Sequence, residues 1–178
     1  MLIFLLVVYI GVNDLKCQQH IRIIQDTTGK ISLYMKRKIA ATSHELFQKN
    51  LSWINDHKKR LKGEVLYRNH STGGIVLKGR QILSLGSVNS GLQTQMHFTL
   101  EIRQEHQECV ASIKNIYYKS IPTYGKQGTP SQITYASDWF HKNGYYRKNG
   151  KQRPLNTIYK ERTIEAGKQL LTSLKARW

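Results

Sequence analysis

No part of the chain constrains its architecture as tightly as residues 95–103, Gln-Met-His-Phe-Thr-Leu-Glu-Ile-Arg. Met96, Phe98, Leu100 and Ile102 alternate without error with Gln95, His97, Thr99, Glu101 and Arg103. A period of two is that of an extended strand with one buried and one wet face. The four residues 104–107 then lead into a second run, 108–119, rich in β-branched and aromatic residues, so the pair reads as an antiparallel hairpin. A sheet with one apolar face must be covered, and the flanking chain supplies the cover.

Upstream of the hairpin, residues 75–83 form a strand with Gly79 inside it as a bulge or a close-contact site. A short strand at 64–68 precedes it across the turn 69–74. Before that, Thr42 or Ser43 caps a helix running to about Leu61, because a short hydroxyl there accepts an orphan backbone N–H. Phe47, Leu51, Ile54 and Leu61 share one helical stripe, widened by Leu46 and Trp53. Lys58, Lys59 and Arg60 meet the negative end of the helix dipole, and Gly63 reads as the stop. Residues 31–39 alternate Ile31, Leu33 and Met35 against Ser32, Tyr34 and Lys36, a first strand with a basic outer face, and residues 18–30 read as a polar connector.

Downstream the character changes at residue 120. Pro122, Gly125, Gly128 and Pro130 come first, followed by a basic-aromatic stretch with Asn-Gly turns at 143–144 and 149–150. Residues 120–154 are therefore an insertion. From Asn156 or Thr157 a second helix runs to about Arg177, with Ile164, Gly167, Leu171, Leu174 and Trp178 at three-four spacing and Leu170 beside them. The expected fold is α+β: a single antiparallel sheet in the order β-α-β-β-β-β-α, with both helices on one face.

The formal charge of +17 over 178 residues favours anionic partners, whether envelope glycan, lipid surface, acidic protein or nucleic acid. Residues 1–11 are apolar throughout, too short a run to span a bilayer but suited to a signal peptide, and a cut after Cys17 leaves Gln18 as the new terminus. This predicts a periplasmic or envelope-associated protein. Lipid anchoring at Cys17 is disfavoured because Asp14-Leu15-Lys16 is not a small-residue context. The second cysteine, Cys109, sits at an apolar strand position and reads as a small buried hydrophobe.

Several segments together resemble a bacterial domain family of unknown function described as having a TATA-binding-protein-like fold. They are the helix around Leu51-Ser-Trp53-Ile54, the strand entry Gly73-Gly74-Ile75-x-x-x-Gly79, and the pair Met96–Ile102 with Cys109–Tyr118. The resemblance covers residues 30–178, interrupted by the insertion. It implies the fold and agrees with export, since such domains are typically carried by exported or envelope proteins. It carries over no catalytic residues.

The search for an enzyme is largely negative. The histidines are scattered, with no metal-ligand spacing and no cofactor motif, and His97 and Glu101 stand roughly 13 Å apart along one strand at about 3.3 Å per residue. A hydrolytic site would have to join them to Ser32 or Ser112 from neighbouring strands. Two binding surfaces compete. One is the open sheet face, with Ser32, Tyr34, Lys36, His97, Thr99, Glu101 and Arg103. The other is the basic-aromatic insertion, where Trp139, Phe140, Tyr145 and Tyr146 interleave with Lys142, Arg147, Lys148, Lys151 and Arg153. The bland alternative for the insertion is a hairpin whose aromatics cover the sheet edge. A non-enzymatic exported domain that binds an anionic envelope component or partner protein is the leading reading, and a cytoplasmic nucleic-acid-binding module is the alternative.

Overall fold

The computed structural model describes residues 21–27, 30–86, 92–121, 132–140 and 154–178. The leader expected from sequence, with Cys17, lies outside the described residues, as do Lys142, Tyr145, Tyr146, Arg147, Lys148, Lys151 and Arg153. Ten elements follow in order: β1 (Arg22–Gln25), β2 (Ile31–Lys38), α1 (Ser43–His57), β3 (Glu64–Asn69), β4 (Gly74–Ser84), β5 (Gln93–Glu105), β6 (Glu108–Ser120), β7 (Ile133–Tyr135), α2 (Ala136–Phe140) and α3 (Pro154–Lys175). The strands form one antiparallel sheet ordered β1-β2-β6-β5-β4-β3, with β7 beside β2 along the same side of β6. The α+β architecture expected from the alternation is the one observed.

The inward residues of the central strands are those the period of two assigns. Met96, Phe98, Leu100 and Ile102 are buried, as are Ile31, Leu33 and Met35 on β2. α1 adds Leu46, Phe47, Trp53 and Ile54 to the same core, and α3 adds Ala166, Leu170, Leu171 and Leu174. Each such aliphatic or aromatic side chain, removed from water, stabilises the fold by about 1.5–3 kcal/mol. Cys109 is buried among them, and burial pushes its thiol up to about 12. It is a packing residue.

Four local expectations need correction. The connector at 18–30 contributes a strand, β1, which pairs with β2 from Arg22 opposite Tyr34 to Gln25 opposite Ile31. The insertion at 120–154 contributes β7 and α2, and α3 starts at Pro154, two residues earlier than read. The hairpin loop is two residues rather than four, because His106 adopts a left-handed φ of 57° and lets Glu105 pair directly with Glu108.

α1 ends at His57, earlier than Leu61. Its stop is made by Lys62, whose φ is 44°, with Gly63 N–H donating to the Lys58 carbonyl at 2.8 Å. Gly63 is small for another reason: a Cβ there would lie 3.0 Å from Leu77 Cδ1. At the other end the cap is as read. Glu45 N–H donates to Thr42 Oγ1 at 3.2 Å, and Thr42 N–H donates to Glu45 Oε2 at 2.9 Å, a reciprocal capping box. The Thr42 backbone N–H and the Thr42 hydroxyl, which donates to the same Oε2 at 3.0 Å, hold the Glu45 carboxyl below its ordinary value.

Glycine also decides how closely layers and strands approach. Gly79 pairs with Phe98 across β4 and β5 with no break in register, so it is a close-contact site and not a bulge. A Cβ at Gly79 would stand 2.8 Å from Phe98 Cζ. Phe98 is buried in the core, so a Cβ at Gly79 must displace a packed ring, and Gly79→Ala is expected to destabilise by about 1–3 kcal/mol. A urea melt measures this, and an unchanged midpoint would mean that the ring rotates away freely. Gly167 plays the same part between layers, since a Cβ there would lie 2.5 Å from Leu33 Cδ2.

Candidate functional site

α1 and α3 cover one face of the sheet, and among the described residues no element covers the other, the open face. Cross-strand register sorts the open-face side chains into rows. One row runs Arg22, Tyr34, Ser112, Glu101, Val76, Tyr67 from β1 to β3. Here cations and carboxylates neutralise one another. Lys114 Nζ lies 2.5 Å from Glu101 Oε2, Arg103 bridges Glu101 and Glu105 at 3.7 and 2.8 Å, and Lys36 pairs with Glu108. The hydrogen bond to Glu108 raises the Lys36 ammonium above its ordinary value. Tyr34 and Lys36 do share the open face, as read, but Lys36 is already engaged.

The opposite end of the face differs. One row there is Tyr135, Tyr117, His97, Arg80, and the next is Ile133, Lys119, Gln95, Ile82. These span β7, β6, β5 and β4, about 14 Å at about 4.8 Å per strand. His97 and Tyr117 stack, with ring centroids 4.7 Å apart and planes within 11°, and Tyr117 meets Tyr135 at 6.4 Å. His97 Nε2–H donates to Gln95 Oε1 at 2.9 Å, which orients the ring. Among the described residues no carboxylate stands within 4 Å of Arg80 or Lys119. Tyr135, Ile82 and Ile133 are 59%, 57% and 50% exposed, so the cations sit in an apolar frame.

Burial lowers the His97 imidazole below its ordinary 6.5, and the charges of Lys119 and Arg80 lower it further. On acidification the unfolded chain therefore takes up this proton first. The contribution of His97 to stability is present above pH 6.5 and is lost as pH falls from there through the folded value. Thermal melts should show that His97→Gln loses less stability than the parent on going below pH 6.5. A parallel loss in both proteins would mean that other groups carry the acid sensitivity.

Of the aromatics read into the insertion surface, Trp139 and Phe140 are among the described residues, and both pack against the covered core. Trp139 is not on the open face. Its indole stacks on Tyr159 of α3 at 4.4 Å and 7°, and Tyr159 meets Tyr118 edge-on at 4.8 Å. Tyr118 in turn hydrogen-bonds Thr163 Oγ1 at 2.6 Å, and burial raises its phenol above the ordinary value. Trp139 thus fastens α2 to α3. Nor does a hydrolytic triad assemble among the described residues: Ser112, though opposite Glu101, is buried, Glu101 is held by Lys114 and Arg103, and His97 lies in a different row, held by Gln95 and Tyr117. Among the described residues no group of three His, Cys, Asp or Glu could hold a metal ion.

A family model described as a domain of unknown function (DUF4468) with TBP-like fold matches residues 23–119, more than half of the chain. The chain belongs to this family. The DUF4468 match starts inside β1, which agrees with the strand found where a connector was expected. Among solved structures, a DUF4468 family protein from Bacteroides ovatus superposes with a TM-score of 0.71 at 12% identity, over 85% of this chain and 88% of that one. A TBP-like protein from Parabacteroides distasonis gives 0.65 at 17% identity, over 85% and 94%. At those identities the likeness is one of fold. Among curated proteins nothing matches.

Arg80, Tyr117 and Lys119 were not singled out from sequence, and Tyr135 was read only as the first residue of the basic-aromatic stretch. A signal for Arg80 was available, because Val76, Lys78, Arg80 and Ile82 alternate with the buried Ile75, Leu77 and Leu83 around Gly79. None was available for Tyr117 and Lys119, because β6 changes parity. Its pairing with β5 shifts by one residue between His97 and Thr99, and Asn115 takes a φ of 52°. Ile113 and then Ile116 and Tyr118 face inward, which turns Tyr117 and Lys119 outward.

Proposed function

We propose that this DUF4468 domain is a non-enzymatic module that acts outside the cytoplasm and binds an anionic envelope component or an acidic partner protein. The observation that carries the reading is the row end at Arg80 and Lys119, where two cations flank a His97–Tyr117 stack without a carboxylate beside them among the described residues. Cations in an apolar frame lose little to competing intramolecular pairs, so their charge is available to a ligand. The tyrosine and isoleucine side chains add apolar contact for an acyl, sugar or side-chain surface. The export half of the reading rests on the apolar run at residues 1–11 and on the charge of +17.

Two measurements test it together. Fractionation of the native cell with N-terminal sequencing should find a chain starting at Gln18 in the envelope fraction. The purified protein should bind phosphatidylglycerol vesicles or an acidic polysaccharide such as polygalacturonate, and lose affinity as salt rises from about 50 to about 200 mM. An intact Met1 in the cytosol, with single- or double-stranded DNA bound in preference to either probe, overturns the proposal in favour of a nucleic-acid module.

A further inference from the structure

β4 outruns the strand that flanks it. β3 covers it from Gly74 to Lys78, and Arg80 N–H then donates to the Leu61 carbonyl at 2.8 Å. That bond fixes the alternation, because in an antiparallel strand every second residue directs its N–H and C=O to the same side. The backbone groups of Ile82 and Ser84 therefore point away from β5, along the outer edge. Among the described residues no backbone partner meets them there. Beside this edge runs a groove of about 330 Å³, with Ile82 and Ser84 on one wall and Arg162, Ala166 and Gln169 of α3 on the other. The other edges are poorer templates: β3 has a register shift between Val65 and Tyr67, and β1 is four residues long.

We propose that this groove accepts an extended acidic segment of a partner protein as an added strand beside Ile82 and Ser84. Unpaired edge groups are a template for another chain, and backbone pairing supplies affinity while alternate side chains supply choice. Charge selects the occupant. The edge is continuous with the turn at residues 58–62, whose Leu61 carbonyl holds Arg80 and which carries Lys58, Lys59, Arg60 and Lys62. Among the described residues no carboxylate lies within 4 Å of any of these cations. On the α3 wall Glu165 is already paired with Arg162 at 2.9 Å. Ile82, 57% exposed, offers an apolar contact to the residue of the incoming strand that lies opposite it. The recognition is by backbone, so it goes beyond the open-face reading and does not depend on it.

The probe is a capped hexapeptide of alternating Glu and Val, titrated against the full chain. Its copy with N-methyl groups on alternate residues cannot complete a ladder, and a third peptide carries Lys in place of Glu. The expected result is hydrogen-exchange protection of the Ile82 and Ser84 amides by at least tenfold at saturation. Both altered peptides should bind at least tenfold more weakly. Equal affinity of the N-methylated peptide, or binding without protection of those two amides, overturns the proposal and assigns the contact to side chains, such as the open-face cations. Absence of binding by the Glu-Val peptide overturns it as well. Protection of the same amides in a dimer of the protein alone would make a second copy of the chain the occupant. Ile82→Pro removes one outward N–H where proline is tolerated in edge strands, and should abolish peptide binding while the protein still melts cooperatively. If Ile82→Pro does not fold, the comparison of the two peptides on the parent protein still decides the matter.

Discussion

Replacing Trp53 with alanine is expected to lower stability by about 3–5 kcal/mol, the cost of emptying a large, well-packed core site. Trp53 is fully buried, stacks on His57 at 4.3 Å and 17°, and donates its indole N–H to Ser173 Oγ of α3 at 3.2 Å. It is the point at which α1 is tied to α3. A second tie lies along the same pair of helices, where Trp178 Nε1–H donates to Asn50 Oδ1 at 2.7 Å and Arg177 meets Asp56 at 2.7 Å. The exposed Arg177–Asp56 pair adds little, about 0–1 kcal/mol by the usual range for surface pairs. A domain with about 5–15 kcal/mol in total would therefore be left marginal by Trp53→Ala alone. Urea unfolding followed by circular dichroism checks this. Ser173→Ala separates the hydrogen bond from the packing and should cost only about 0.5–1.5 kcal/mol. A loss below 1 kcal/mol in Trp53→Ala would mean that α1 is held by its other core residues and that the indole is peripheral.

The fold could be read because its sheet alternates. Where one face is buried, a slip of one residue would turn every apolar side chain to water, so the pattern pins the register. That logic located β2, β4, β5 and the open-face set containing Tyr34, Lys36 and His97. It failed where the chain departs from period two for local reasons. β1 has four exposed residues, so its Ile23 and Ile24 carry no alternation signal and the strand is recognisable only by its pairing with β2. The left-handed residues were also illegible: Lys62, His106 and Asn115 all adopt positive φ where glycine or asparagine is the usual marker, and only the last is an asparagine. α3 shows a milder version of the same problem. Its buried stripe includes Thr163 and Ala166, small or polar residues that a search for large apolar side chains skips, while the expected Ile164 is half-buried.

The candidate site was less legible than the fold for one structural reason. It gathers residues from four strands that are far apart in sequence, and one of those strands reverses its facing at the Asn115 bulge. A composition reading drew attention instead to the basic-aromatic stretch, whose described aromatics include Phe140 and, before it, Trp139. Its indole turned out to be stacked on Tyr159, with its Nε1–H buried and without a partner among the described residues. Aromatic clustering in sequence measures how much apolar surface must be covered as much as what a surface can bind. The register of the sheet distinguishes the two.

Removing both free cations of the open-face end, in Arg80→Ala with Lys119→Ala, is expected to weaken binding to phosphatidylglycerol vesicles about 30-fold. Each cation near an anionic surface contributes about 1 kcal/mol, and about 1.4 kcal/mol is a factor of ten. The salt dependence should flatten in the same variant, because fewer counterions are exchanged on binding. Lys36→Ala is the informative control. Lys36 is paired with Glu108, so its removal, which deletes one charge against two in the double variant, should change affinity by less than about twofold, where an unpaired cation would cost about fivefold. If Lys36→Ala and the double variant weaken binding in proportion to charge alone, the ligand responds to the net +17 and no local site exists. His97 supplies an independent reading of the same place. Burial holds the imidazole down and the charges of Lys119 and Arg80 add to it; an anion bound between those two cations offsets their part, so ligand should raise the His97 titration. By linkage, affinity should then rise as pH falls through that range, and His97→Gln should lose this rise while keeping binding at neutral pH. A titration of His97 that ligand leaves unmoved would place the anion elsewhere on the protein, whatever the charge variants do.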